Sequence, residues 1–448
     1  MHWRSLAAAI ATISAVGAAI GLGIPLLSVL LESRGYSASL IGANTAVAGL
    51  ASIAAAPLAA PIAARLGVVK AILLMLLIGG GAFLGFHFLQ PLWAWFALRV
   101  MLHFALTVLF VLSEYWINAS APPEKRGLVL GIYSTSLSLG FALGPWLFSK
   151  IGSTGGLPFY VGFAIIMVAL IPVLVAWRDS PDFEEGEHVP FLPFIFAMPT
   201  ATMAVFVFGA VETGGFALFP VFGTRVGYSE ADAALLLTMI GLGNMLMQIP
   251  LGIVSDRISD RRKLLLFCAT TGLIGMMALP YLMQHWYFMA GILFLWGGVV
   301  AGLYTVGLAH LGSELTGREL ASANAAFIFC YAIGMLAGPQ LVGIGMDAMG
   351  PKGFPMTLGI FLPHMRSLLR LGCFCGRSSL DFLPLIRSVA PNFRCRMNCR
   401  NRWRFLSIVH DPGKWEPVFG KIMPGRHLEQ VYRYGQGYDN QDQAFVDR

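Results

Sequence analysis

Pro250-Leu-Gly-Ile-Val-Ser-Asp-Arg-Ile-Ser-Asp-Arg-Arg-Lys263 decides how this chain is read. It is short, holds a glycine, carries Asp256, Arg257, Asp260, Arg261, Arg262 and Lys263, and lies between two long apolar runs. So short a connection makes its flanking helices antiparallel neighbours. Its charge keeps it at the water side of a membrane, and the Lys/Arg excess points to the cytoplasmic side.

The composition agrees with a membrane reading. The 448 residues are 57% hydrophobic and 12% charged, and the mean hydropathy is +0.71. Soluble domains carry about 25% charged residues. Apolar runs of about 20 residues are transmembrane candidates. They are expected near 5–31, 38–62, 66–88, 91–116, 127–152, 157–177, 194–222, 231–254, 263–284, 286–311 and 319–345, with a twelfth that starts near Phe354 and fails after Leu362. The first run is too long for a signal-peptide core and is read as a helix. The net charge of +7 is not a nucleic-acid signature: residues 1–363 hold 16 Lys/Arg and 16 Asp/Glu, so the excess sits in the tail.

The polar stretch Arg178–His188 divides the body into residues 1–178 and 194–362, with 179–193 as a central cytoplasmic linker and 363–448 as a basic, Cys-containing tail. The two halves repeat. Gly35-Tyr36-Ser37 recurs as Gly227-Tyr228-Ser229, and Arg65 as Arg257, both 192 positions later. Gly140, Gly144 and Pro145 recur as Gly334, Gly338 and Pro339, 194 positions later. With a cytoplasmic N-terminus, the inner loops carry Arg4, Arg65, Lys70, Lys125, Arg126, Arg178, Arg257, Arg261, Arg262, Lys263 and Arg318, and the outer ones only Arg34, Lys150, Arg225 and Lys352. That asymmetry favours the N-inside orientation.

Gly252-x-x-x-Asp256-Arg257-x-x-x-Arg261-Arg262-Lys263 resembles the loop between helices 8 and 9 of the major facilitator superfamily. The resemblance covers residues 1–362. It implies an all-α integral membrane fold of two six-helix halves related by a pseudo-two-fold axis along the membrane normal, here with an incomplete or atypical twelfth helix. The first-half copy keeps Arg65 and Gly67 but has Ala64 where the family has an acid. In the family that acid faces a helix N-terminus of the other half, which favours a carboxylate. Arg65, Gly67, Gly252, Asp256, Arg257, Arg261 and Arg262 are therefore the expected conformational gate, with Asp256 as its acid, or simply a solvated loop. Gly140-Phe-Ala-Leu-Gly144-Pro145 resembles the antiporter-type motif of the superfamily. Its plain reading, shared by Gly334, Gly338 and Pro339, is close helix packing.

Ionisable residues inside apolar runs are few and costly to bury. Arg99 stands where the family often has an intramembrane arginine associated with proton coupling, although Leu102-His103 replaces the usual Gln-Gly. His103 shares its helical face. Glu212 lies midway along the seventh run. It is expected to be a protonatable or substrate-contacting carboxylate, with Arg99 and His103 lining the other half; the alternative is a buried structural ion pair. Asn44 and Thr45, Asn244 and Gln248, Tyr304, Asn324 and Tyr331 are candidate cavity residues, or interhelical hydrogen-bond partners. Glu114-Tyr115-Trp116-Ile117-Asn118 resembles a Glu-Ser-Trp-Leu-Asn stretch of the YcaD-like bacterial branch, and Tyr115 and Trp116 also fit interfacial anchors.

The tail departs from the family. Arg366, Arg370, Arg377 and Arg387 interrupt it, and Cys373, Cys375, Cys395 and Cys399 match zinc spacings poorly. A metal site, a lipid-facing basic tail and a shifted reading frame are the three readings, and the abrupt loss of apolar periodicity favours the last.

The expected function is proton-coupled, outward secondary transport of a small solute in the cytoplasmic (inner) membrane. A transport-inactive sensor of the same fold is the alternative. No nucleophile, metal or Walker A constellation is found, so neither an enzyme nor an ATP-driven pump is expected. No cofactor, catalytic residue or nucleic-acid partner is expected, and the partners are the lipid bilayer, the solute and protons, with the chain acting as a monomer.

Overall fold

The computed structural model describes residues 3–122, 126–181, 191–258, 260–315 and 317–362, apart from the side chains at 126, 127, 317, 318 and 321. All of them belong to the first of two units into which the chain divides, residues 1–393. The tail, with its arginines and cysteines, lies outside the described residues.

The described residues form α1 (Trp3–Ser33), α2 (Ala38–Leu66), α3 (Val68–Phe88), α4 (Leu92–Ser120), α5 (Arg126–Ile151), α6 (Leu157–Val168), α7 (Leu170–Val175), α8 (Leu192–Ala197), α9 (Pro199–Arg225), α10 (Glu230–Arg257), α11 (Arg261–Leu282), α12 (Trp286–Glu314), α13 (Gly317–Met349) and α14 (Gly353–Phe361). Eleven stretches among them are long and apolar enough to cross a membrane. Two expected runs are broken. The sixth divides into α6 and α7, because Pro172 has no N–H for the carbonyl of Val168 and crowds it. The seventh begins with a separate short helix, α8, since Pro199 starts α9 and holds Met198 out of helical geometry. Of the twelfth, the described residues hold the start, α14, packed on α9, α11 and α13, with Phe354 stacked on Phe222 at 4.9 Å.

The repeated Gly-Tyr-Ser is a turn followed by a helix cap. Gly35 and Gly227 have φ of +81° and +100°, a region that favours glycine. Ser37 and Ser229 are the caps of α2 and α10, and their hydroxyls accept from Leu40 N at 3.3 Å and Asp232 N at 3.1 Å. Hydropathy could not reveal this equivalence, but local backbone chemistry could.

Packing follows the same duplication. Within the first half α5 lies on α1, and within the second α13 lies on α9. A Cβ at Gly140 would sit 2.6 Å from Ala18 N, and one at Gly144 would meet the backbone of Gly21 and Leu22. Gly334 and Gly338 meet the backbone around Phe206 and Ala210 in the same way. Lipid is as apolar as these side chains, so such close approach replaces the hydrophobic drive of a soluble core. Between the halves, α2 packs on α13, α5 on α10 and α1 on α9. A Cβ at Gly49 would lie 2.6 Å from Leu336 N, and one at Gly241 2.9 Å from Ala142 Cα.

Candidate functional site

Glu212 is brought to a crevice between the helices of the second half. Phe208, Glu212, Gly215 and Phe216 come from α9, Ile240 and Asn244 from α10, and Trp296, Gly297 and Val300 from α12. They surround about 310 Å³ of atom-free space, part of it open solvent. Tyr331 of α13 donates to Glu212 Oε2 at 2.6 Å. Phe208 stacks on Tyr331 at 6.1 Å and lies 5.7 Å from Tyr304. Trp296 commits its Nε1–H to Gly272 O at 3.0 Å, which leaves the ring for the crevice. Phe216 meets Phe141 of the first half edge-to-face at 5.7 Å. Asn244 accepts from Gln248 Nε2 at 2.6 Å, and Gln248 also reaches Ser138 of α5 at 3.4 Å. Asn324 is half-buried, two turns from Tyr331 on the same helix.

Arg99 and His103 occupy a different place. Arg99 is 0% exposed, and its Nε donates to Asn44 Oδ1 at 3.2 Å. The two terminal guanidinium nitrogens, Asn44 Nδ2, Thr45 Oγ1 and His103 Nε2 are buried with no hydrogen-bond partner. His103 Nδ1 lies 3.2 Å from Arg99 O. The structural ion pair that the sequence left open is not formed: Arg99 and Glu212 each stay in their own half. Asn44 and Thr45 are fully buried, and Asn44 is held by Arg99 rather than on a cavity wall.

Glu114 was not among the expected site residues. It is half-buried on α4, next to Ser113, whose hydroxyl lies 2.9 Å from that of Tyr133 of α5. The signal was present, an acid in the fourth run, but how far α4 buries it is a matter of packing. Trp116 is 0% exposed in the core, so it is not an interfacial anchor.

The two ends of the bundle differ. At the end holding the α1–α2 turn, three polar clasps join the halves. Arg225 of α9 is bidentate on Glu32 of α1 at 2.8 and 3.0 Å. Asp347 of α13 accepts from the N–H groups of Ala38 and Ser39 at 2.9 and 2.8 Å, at the start of α2. Ser153, after α5, donates to Glu230 at the start of α10 at 2.7 Å. The last two are one clasp duplicated, since Asp347 follows Ser153 by 194 positions and Glu230 follows Ala38 by 192. Acid and donor have exchanged sides.

The end holding the α2–α3 and α10–α11 turns carries the expected gate. Asp256 has a side chain 77% exposed and lies 3.5 Å from Arg261, in its own hairpin. Arg261 also donates to Ser255 Oγ at 3.1 Å, and Asp260 caps α11 by accepting from Arg262 N at 3.1 Å. Arg65, Arg257 and Arg262 are exposed. Gly67, at φ +82°, closes α2 with its N–H on Ala63 O at 2.8 Å. Among the described residues, no three His, Cys, Asp or Glu side chains are grouped to hold a metal ion.

The description Major Facilitator Superfamily belongs to the family model that matches residues 8–339. The uncharacterized MFS-type transporter YfkF of Bacillus subtilis (strain 168) is 28% identical over 345 residues, 74% of this chain and 86% of that protein. The uncharacterized MFS-type transporter YcaD of Salmonella enteritidis PT4 is 23% identical over 312 residues, 68% of this chain and 80% of that protein. Among solved structures, the nucleoside transporter NupG matches 82% of this chain and 97% of its own with a TM-score of 0.65 at 14% identity. A bacterial homologue of the human lysosomal transporter Spinster, inward-facing and unoccupied, matches 81% and 94% with a TM-score of 0.65 at 14% identity. The clasped, duplicated bundle thus has both its fold and its sequence relatives in one place, and the chain belongs to the Major Facilitator Superfamily as a multi-pass membrane transporter.

Proposed function

We propose that this protein carries a small solute across the cytoplasmic membrane by secondary active transport, with Glu212 exchanging a proton for the solute and with export as its direction. The observation that carries this reading is the Glu212 crevice. It holds a carboxylate, an adjacent tyrosine and aromatic walls beside the interface of the two halves. Placing the Lys/Arg-rich α2–α3 end in the cytoplasm puts the three clasps on the outside. In this reading the carrier is shut outwards, and Asp256, its gate acid, faces the cytosol. Rocking of the halves breaks the clasps and brings Asp256 and the basic loop residues into play. Arg99 and His103 form a charged station of the first half, reached when the α2–α13 seam parts.

Flux decides the matter. Proteoliposomes loaded with a small-molecule cell extract are placed in an imposed pH gradient, and released solutes are identified by mass spectrometry. At least one solute leaves faster than from empty liposomes, Glu212→Gln lowers that flux at least tenfold, and a protonophore stops it. Absence of any protein-dependent flux rejects transport in favour of a sensor.

A further inference from the structure

Arg99 brings a full charge two turns into α4, and little around it answers that charge. A guanidinium has five N–H donors and does not deprotonate in proteins. Its Nε donates to Asn44 Oδ1 at 3.2 Å, while both terminal nitrogens and Asn44 Nδ2 are buried with no hydrogen-bond partner. His103 Nδ1 faces Arg99 O at 3.2 Å. A carbonyl only accepts, so Nδ1 carries the proton of the neutral ring and Nε2 offers a lone pair. That lone pair can take a hydrogen bond but brings no negative charge. The ion pairs seen among the described residues, Glu32–Arg225 and Asp256–Arg261, lie at the two ends of the bundle.

Buried polar groups are answered by protein, by water or by an ion. Water would satisfy the N–H groups and leave the charge, whose burial is the larger cost. An anion meets both needs, because the guanidinium fork directs several donors at one negative group. One positive charge calls for one negative charge. Asn44 lies between Gly42 and Gly49, where a Cβ would meet the backbone of Pro339 and Leu336 in α13, and so close a seam admits only a small ion. We infer that the first half keeps a small monovalent anion as the resident counter-ion of Arg99, with Asn44 Nδ2 as its second donor. This site is separate from the Glu212 crevice of the second half, and it stabilises the first half whether or not a solute is moved.

The test is thermal unfolding of the purified full chain in detergent, in sodium salts of equal ionic strength. Gluconate is the bulky reference anion, and chloride, nitrate and acetate are the probes. A ligand bound only by the folded state stabilises it, so at least one probe should raise the midpoint by several degrees, and the rise should saturate. Action of chloride or nitrate identifies an inorganic ion, and action of acetate alone a carboxylate. Arg99→Met abolishes the response. Asn44→Asp supplies the counter-charge from within the chain, at an atom already held by Arg99. Its midpoint in gluconate should equal or exceed that of the unaltered protein in the effective probe, and its response should be lost. Should Arg99→Met fail to fold, Asn44→Asp carries the test. No response to any probe, a rise that never saturates, as a general salt effect gives, or an undiminished response in Arg99→Met or Asn44→Asp overturns the inference.

Discussion

At the scale of single residues, the two intramembrane charges differ in how they are held. Glu212 has one strong partner and a crevice. Arg99 is sealed from solvent with its terminal nitrogens unpaired. Replacing it by methionine, of similar length and without charge, removes the cost of burying an unpaired charge. We expect Arg99→Met to unfold at an equal or higher temperature in detergent while flux in liposomes falls. A lowered midpoint would show that Arg99 holds the fold. Arg99 and Glu212 could both be picked out of the sequence because a charge in an apolar run is conspicuous. That they do not pair, and that Glu212 meets Tyr331, depended on how each helix is turned about its axis.

At the scale of elements, glycines set how near the helices come. Gly144 touches the α1 backbone, which has no rotamer with which to yield. Gly144→Val should cost about 1–3 kcal/mol or more by overpacking, read as a lowered thermal midpoint. Gly252 has nothing within 4 Å of its would-be Cβ. Gly252→Ala should therefore fold normally, aided by about 1 kcal/mol of helix propensity. The pair separates packing from loop chemistry within motifs that look alike in sequence. The geometry of Gly140 and Gly334 is the same in both halves, as the packing reading requires, whereas an antiport device would be needed in only one. The breaks at Pro172 and Pro199 were visible as prolines, yet a proline inside a membrane run can bend, break or do neither, and only its neighbours choose.

At the scale of the whole molecule, the clasps hold one end shut. Asp347 satisfies two N–H groups that the first turn of α2 leaves unpaired, an interaction of the capping type worth about 1 kcal/mol. Its loss in Asp347→Ala should raise the population open at that end about fivefold. Spin labels at Ser33 and Lys352, exposed positions of opposite halves, would report it as a growing long-distance component. An unchanged distance distribution would mean that glycine packing between α2 and α13, not the clasp, controls the opening.

The sequence by itself determined the spans, the hairpin charges, the repeated turn-and-cap and hence the fold, because apolar length, loop charge and glycine backbone freedom act locally. The tertiary structure alone decided which end is closed, which tyrosine Glu212 meets, and that Asp347 and Ser153 are counterparts. In a bilayer the outward faces of helices are as apolar as the inward ones. The pattern of hydrophobicity therefore says little about rotation, and rotation is what assembles the site.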